Sequence, residues 1–449
     1  MNRWIGWGIL MSITLSGEAA AVQVKDASAV LTQKPASIPG VDAPELAALG
    51  PHVVGVKTQQ WVQPAQANPL AIDADSQQPR VQDRTLVVDI WYPSALTSTQ
   101  AQTLKPEVYA AELVSEAPKP PVRYLTPGIA YRDAPAQATA YPLVIISHGY
   151  SNPSVALSWL AENLASKGYV VAAIRHEDPD ISDRTKVAGP ALRRPLDIAF
   201  VATQMTLHSP VPCDSNAVAL IGYSMGGYGV LAAGGASYEA SSPLVTQMPG
   251  HLLNPYLHNG SGLADIHVKN VKAIVGLAPA GGGAFGAFGA TGIAAIRAPL
   301  LLIAGDHDQT VNYTTGARTF FDDAIHAKRY LLTFRGAGHA IGFGPAPLSM
   351  RQTLWDMDWF EDPVWRKDRI IAVNLHFISA FLALHVKNDT SKQAYLEGLV
   401  PESDAGVWPL NQPGGYGAIS PGTSEITVWK GFRHKHAFGL SFESKNPVP

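Results

Sequence analysis

Residues 217–233 read AVALIGYSMGGYGVLAA. The first five, Ala217–Ile221, are apolar without a polar face, which suits a strand buried on both sides. Gly222–Tyr223–Ser224–Met225–Gly226 follows at once and matches G-x-S-x-G. The small-residue stretch GGYGVLAA then reads as a helix lying close to that strand. Strand, sharp turn and helix together present a serine at the carboxyl edge of a parallel sheet, and the glycines let the chain pass itself in the strained turn. The motif alone is weak. With 40 glycines in the chain, about 0.2 chance matches are expected, so the context carries the reading.

Working outward, Leu143–Ser147, Tyr169–Ile174, Val271–Leu277, Pro299–Ala304 and Tyr330–Phe334 are further apolar runs of strand length. Helical spacing lies among them at Val155–Lys167, with Gly168 as its cap, at Asp197–Thr206, and at Ile370–Val386. The alternation predicts an α/β fold with a mostly parallel sheet and helices on both faces. His52–Val62 and Arg84–Trp91, separated by a Gln/Pro/Asp-rich loop, predict an antiparallel start to the sheet. Residues 93–140 hold seven prolines and read as a long surface loop. Insertions are expected near 236–268 and 345–368, and residues 280–292 are rich in Gly, Ala and Phe. A C-terminal extension spans 401–449, with a strand-like Glu425–Trp429.

Composition narrows the class. Of 449 residues, 46% are apolar and 15% charged, and the formal net charge is −3. That is a globular chain without the basic excess that nucleic acid or an anionic membrane demands. Its one cysteine, Cys213, forms no intrachain disulfide. Arg3, the apolar run Trp4–Leu15 and the A-x-A site at Ala19–Ala21 predict an export signal over 1–21. That run is too short to span a bilayer. The expectation is a periplasmic or secreted protein without stable membrane insertion, with a mobile lead-in over 22–50 and one domain over 51–400.

A serine hydroxyl needs a base, and the base needs an orienting carboxylate. In the fold expected, these follow the nucleophile in the order acid, then histidine. Asp308 lies just past the buried strand ending at Ala304. Asp306 is its rival, expected instead to bond within the turn after Gly305. Among 14 histidines, His339 alone combines the right order, a strand end and the Gly-rich turn Gly336–Ala337–Gly338. Two backbone N–H groups must meet the oxyanion. Met225, after the serine, is one. The other is Tyr150, in the loop Ser147–Ser151. His148 precedes Ser224 and is expected to support that loop.

These pieces resemble the bacterial predicted dienelactone hydrolases and platelet-activating-factor acetylhydrolase-like enzymes, from about His52 to Val400. Asp89–Ile90–Trp91–Tyr92–Pro93, Pro142–Gly149, Ala172–His176 and Arg194–Pro195–Leu196–Asp197 belong to the likeness. The resemblance implies an α/β-hydrolase fold and ester hydrolysis. Two departures matter. Dienelactone hydrolases proper use a cysteine, where this chain has Ser224. The animal acetylhydrolases carry their acid one strand earlier, where Leu277–Gly281 has no carboxylate. Similar bacterial polyester hydrolases place it as Asp308 stands here.

The His176–Asp180 and Asp306–Asp308 clusters do not fit the calcium-loop pattern and read as solvated loops, so no metal or cofactor is expected. Trp355, Trp359 and Trp365 read equally as an acyl-pocket lid or as core. The function expected is a serine carboxylic ester hydrolase taking a small or lipid-like ester. Alternatives are a lipase, phospholipase or polyester hydrolase, and a secreted binding protein that keeps the fold without turnover.

Overall fold

The computed structural model describes residues 33–76, 78–113, 121–179, 181, 183–408, 426–433 and 435–448. The expected export signal over 1–21 and Asp180 lie outside them. Twelve strands are described: β1 (Val54–Ile72), β2 (Pro79–Pro93), β3 (Val108–Leu113), β4 (Val122–Pro127), β5 (Tyr131–Arg132), β6 (Tyr141–Ser147), β7 (Val170–Arg175), β8 (Cys213–Tyr223), β9 (Val271–Leu277), β10 (Leu300–Gly305), β11 (Arg329–Phe334) and β12 (Leu440–Lys445). Among the described residues, the helices of nine residues or more are α1 (Ser158–Ser166), α2 (Ala188–His208), α3 (Met225–Ala233) and α4 (Lys367–His385).

Ten strands form one sheet in the order β12-β11-β10-β9-β8-β6-β7-β2-β1-β5. The run from β11 to β7 is parallel. β2 joins β7, and β1 joins β2, antiparallel. The fully apolar runs have their cause in two cores. Leu143, Ile145, Leu220 and Leu302 point to the face covered by α2 and α3. Val144, Ile146, Ile221 and Ile303 point to the face covered by α1 and α4. Each such side chain, taken from water, contributes about 1.5–3 kcal/mol.

Several expectations needed correction. The hairpin β1–β2 runs far into the predicted loop, and its register breaks between Gln63 and Gln66 and between Asn68 and Ile72. Pro64 and Pro69 lie at those breaks and cannot donate to a ladder. Residues 93–140 are not a plain surface loop: β3 and β4 pair antiparallel, with Tyr109, Leu113 and Tyr124 buried. The prolines masked that alternation. α2 begins at Ala188, well before the predicted Asp197, with Pro195 inside it. Pro195 cannot donate to the carbonyl four residues back, and the Tyr228 hydroxyl donates to that Ala191 oxygen instead at 2.7 Å.

At the chain ends, Ile426–Trp429 forms no strand. Trp429 lies in the core, and the last strand is β12, antiparallel to β11. The described part of the lead-in is packed. Ser37 and Ala47 are buried, and Asn163 Nδ2 donates to both of their carbonyls at 3.2 and 3.0 Å.

Candidate active site

Ser224 sits between β8 and α3 with φ 54° and ψ −117°, a left-handed conformation that a non-glycine residue adopts only under constraint. Its neighbours supply the constraint. Ser224 N–H donates to Leu277 O on β9 at 2.9 Å, and its carbonyl accepts from Tyr228 and Ala280. The two motif glycines are required by close approach. A Cβ on Gly222 would lie 2.1 Å from Gly226 O, and one on Gly226 would lie 1.9 Å from Ser147 O. The second distance means that the turn carrying Ser224 is pressed against the start of the 147–151 loop.

The parallel strands bring the remaining pieces to the same edge. With strands about 4.8 Å apart, β11 lies about 14 Å from β8, so the chain after Phe334 must bend back. It does so over Arg335–Gly338, and His339 Nε2 comes within 3.0 Å of Ser224 Oγ. His339 Nδ1 is 2.7 Å from Asp308 Oδ2. The other Asp308 oxygen accepts from the Thr310 and Val311 amides at 2.8 and 3.1 Å. Burial pushes the Asp308 carboxyl up, but His339 and those two amides hold it below its ordinary value. Asp306, the rival, faces elsewhere: it accepts from Gly336 N–H at 2.6 Å and contacts the exposed His307.

The bent-back loop is clamped on both sides of His339. Asp362 Oδ2 accepts from Gly338 N–H at 2.8 Å, and the buried Lys367 Nζ donates to Ala340 O at 2.5 Å. Burial brings the Lys367 ammonium down to about 8. The Tyr223 hydroxyl donates to His339 O at 3.0 Å, and its ring lies 5.2 Å from the imidazole. Sequence reasoning did not single out Asp362 or Lys367. Their signal was thin: one charged residue at the start of a largely apolar helix and one in the loop before it.

A cavity of about 500 Å³ opens over Ser224 and His339. Tyr150 and Met225 line it, as do Asn152, Phe285, Val311 and Phe343. Of the three tryptophans, Trp355 and Trp359 line the cavity. Trp365 is core: its ring meets Phe334 edge-on at 5.0 Å and its indole N–H donates to Arg335 O. Among the described residues, Asp358 is the one carboxylate in the cavity wall, and no lysine or arginine lines it. The arrangement can therefore deliver a hydroxyl, deprotonated by an imidazole, to a neutral apolar substrate.

A second Ser–His–Asp constellation lies nearby. Ser147 Oγ is 2.9 Å from His176 Nε2, and His176 Nδ1 is 2.9 Å from Asp197 Oδ2. Geometry alone does not separate the two sets, but access does. Ser147 is 0% exposed, whereas Ser224 is 9% exposed and borders the cavity. In the described part of the His176–Asp180 segment, residues 176–179, two side chains are not solvated. His176 is held by Asp197, and Asp178 is buried in an ion pair with Arg194. Burial, then the Arg194 charge, holds both the His148 and His176 imidazoles well below their ordinary value. His148 supports the loop: it contacts Gly149 O at 2.7 Å and accepts from His176 N–H at 3.1 Å.

Comparison with known proteins adds an independent line. Residues 125–251 match a family model described as PETase: PET hydrolase-like. That stretch includes Ser224 and the 147–151 loop, and ends before Asp308 and His339. The chain is 32% identical over 206 residues to Cutinase 2 of Thermobifida cellulosilytica, covering 46% of this chain and 63% of that one. It is also 32% identical over 206 residues to Cutinase cut1 of Thermobifida fusca, covering 51% of that protein. The matched stretch thus spans about half to three-fifths of these relatives. Among solved structures, a ferulic acid esterase from Streptomyces cinnamoneus aligns over 77% of this chain and 94% of its own, with TM-score 0.48 and 19% identity. Through the segment that carries Ser224, the chain is similar to the PET hydrolase-like family and to bacterial cutinases.

Proposed function

We propose that this chain is a serine-dependent carboxylic ester hydrolase, with Ser224 as nucleophile, His339 as base and Asp308 as its orienting acid. The observation that carries the reading is the pair of contacts at His339, 3.0 Å to Ser224 Oγ and 2.7 Å to Asp308 Oδ2, at the floor of an apolar cavity. Similarity to cutinases supports it. His339 takes the Ser224 proton as the oxygen adds to the ester carbonyl, and the Tyr150 and Met225 amides receive the oxyanion. His339 then protonates the departing alcohol, and water frees the acyl group by the same route.

The wall chemistry favours a neutral ester with an apolar or aromatic acyl group. A polyester is the second reading. Trp355, in the cavity wall, is 54% exposed, and Leu354, its neighbour in the chain, is 70% exposed, a surface that an extended apolar chain can cover. The composition of residues 1–21 supports export, which would bring the site to such substrates outside the cytoplasm. The test is hydrolysis of p-nitrophenyl esters from two to twelve carbons, and of a polyester film, by wild type and Ser224→Ala. Turnover of the soluble esters, lost by at least about 10³-fold in the variant, is expected. Equal rates in the two proteins would refute the reading.

A further inference from the structure

Three motif residues that the triad leaves unused, His176, Arg194 and Asp197, converge beneath the 147–151 loop. Arg194 lies on α2 and is fully buried. Its Nη1 donates to His148 O at 2.5 Å and to Ser147 Oγ at 3.3 Å, and its Nη2 donates to Gly149 O at 3.1 Å. One guanidinium thus holds three consecutive residues that lead into Tyr150. Nη2 also pairs with Asp178, and the same Asp178 oxygen accepts from Ser151 N–H at 2.8 Å. The loop is therefore gripped on both sides of Tyr150. Behind it, Ser147 Oγ meets His176, His176 meets Asp197, and Arg84 pairs with Asp197 at 2.6 Å.

A fold needs no such device to turn a chain. Buried ionic groups gain little net stability over apolar side chains of similar size, because desolvation offsets their attraction. What they supply is fixed geometry. A planar guanidinium with rigid donors sets two carbonyls in one plane, which a lysine cannot do. The peptide that carries the Tyr150 N–H begins at the Gly149 carbonyl carbon, so fixing Gly149 O fixes the direction of that N–H.

We propose that Arg194, held by Asp178, is a positioning residue that aims the Tyr150 amide at the transition-state oxyanion. The proposal rests on the ester hydrolase reading above. It acts only where negative charge develops on the carbonyl oxygen, so its loss lowers kcat and leaves KM nearly unchanged. Inhibition by an alkyl trifluoromethyl ketone should weaken in parallel. That probe accepts the Ser224 oxygen at its carbonyl carbon, the serine proton passes to His339, and the resulting oxyanion needs the same amides.

The experiment compares wild type, Arg194→Lys, Asp178→Asn and Ser224→Ala, with kcat normalised to sites titrated by a fluorophosphonate so that partial unfolding does not imitate the effect. A fall in kcat of about 10- to 100-fold is expected in the first two variants, below the 10²–10³ for removing an oxyanion donor outright. KM should stay within about twofold, and ketone affinity should fall by a factor similar to that in kcat. Asp178→Asn keeps an acceptor for Ser151 and carries the test alone where Arg194→Lys does not fold. Wild-type kcat and ketone affinity per titrated site, with only a lowered Tm, would overturn the proposal. Turnover that survives in Ser224→Ala would instead overturn the reading beneath it.

Discussion

Asp308 and Asp306 stand two residues apart on one turn, yet their surroundings assign them different work. Asp308 is 4% exposed and contacts His339, while Asp306 accepts from the Gly336 amide of the returning loop. Asp308→Asn should lower kcat by about 10⁴, as expected when the base is held in the wrong tautomer. Asp306→Asn should lower it by about tenfold or less, since it weakens one backbone hydrogen bond to a loop still held by Asp362 and Lys367. Steady-state kinetics on one soluble ester checks both, and similar losses in the two variants would contradict the assignment. The contact of Asp308 with His339 was legible because chain order and strand ends limit the options. The partners of Arg194 were not, since a buried arginine finds them only after α2 has packed against the 147–151 loop.

At the scale of elements, the loop Arg335–Ala340 has the hardest task, spanning three strand widths to bring His339 back to Ser224. Lys367, at the first position of α4, and Asp362 before it restrain the loop from outside the sheet. Lys367→Met leaves the Ala340 carbonyl unpaired, a loss of about 1–3 kcal/mol. It should lower kcat/KM by about three- to tenfold, with the chain still folded by circular dichroism; an unchanged kcat/KM would show that the clamp is not needed. The core strands were readable because they are apolar on both faces. β3 and β4 were not, since prolines flank them and their support is distant: Tyr109 donates to the buried Glu162 at 2.7 Å and accepts from Trp91 Nε1 at the same distance. β12 was missed because its alternation, with Leu440 and Phe442 buried, is short and lies beyond a Gly/Pro-rich stretch. Removing residues 435–449 should expose the β11 edge and yield aggregated protein by light scattering. A soluble, monodisperse truncation would contradict that role.

Across the whole molecule, neutral buried histidines tie stability to pH. His376 Nδ1 accepts from Leu46 N–H at 3.2 Å, joining the lead-in to α4. Burial, then the Lys167 charge, brings its imidazole from 6.5 down to about 3. Between those values the unfolded chain binds a proton there and the folded chain does not. Stability therefore falls as pH drops below about 6.5, by about 1.4 kcal/mol per pH unit for this one group. His376→Gln should reduce the slope of unfolding free energy between pH 6.5 and 5.5 by about one proton, read from urea titrations. An unaltered slope would contradict the assignment. That link joins residues 46 and 376, a separation no local pattern reports.

The most direct test of the account is covalent labelling of the intact protein with a fluorophosphonate, followed by peptide mass spectrometry. One adduct on the peptide containing Ser224 is expected, absent in Ser224→Ala, with the sealed Ser147 unmodified in both. An unlabelled wild type, or a label on Ser147, would contradict the claim that Ser224, His339 and Asp308 form the reactive site.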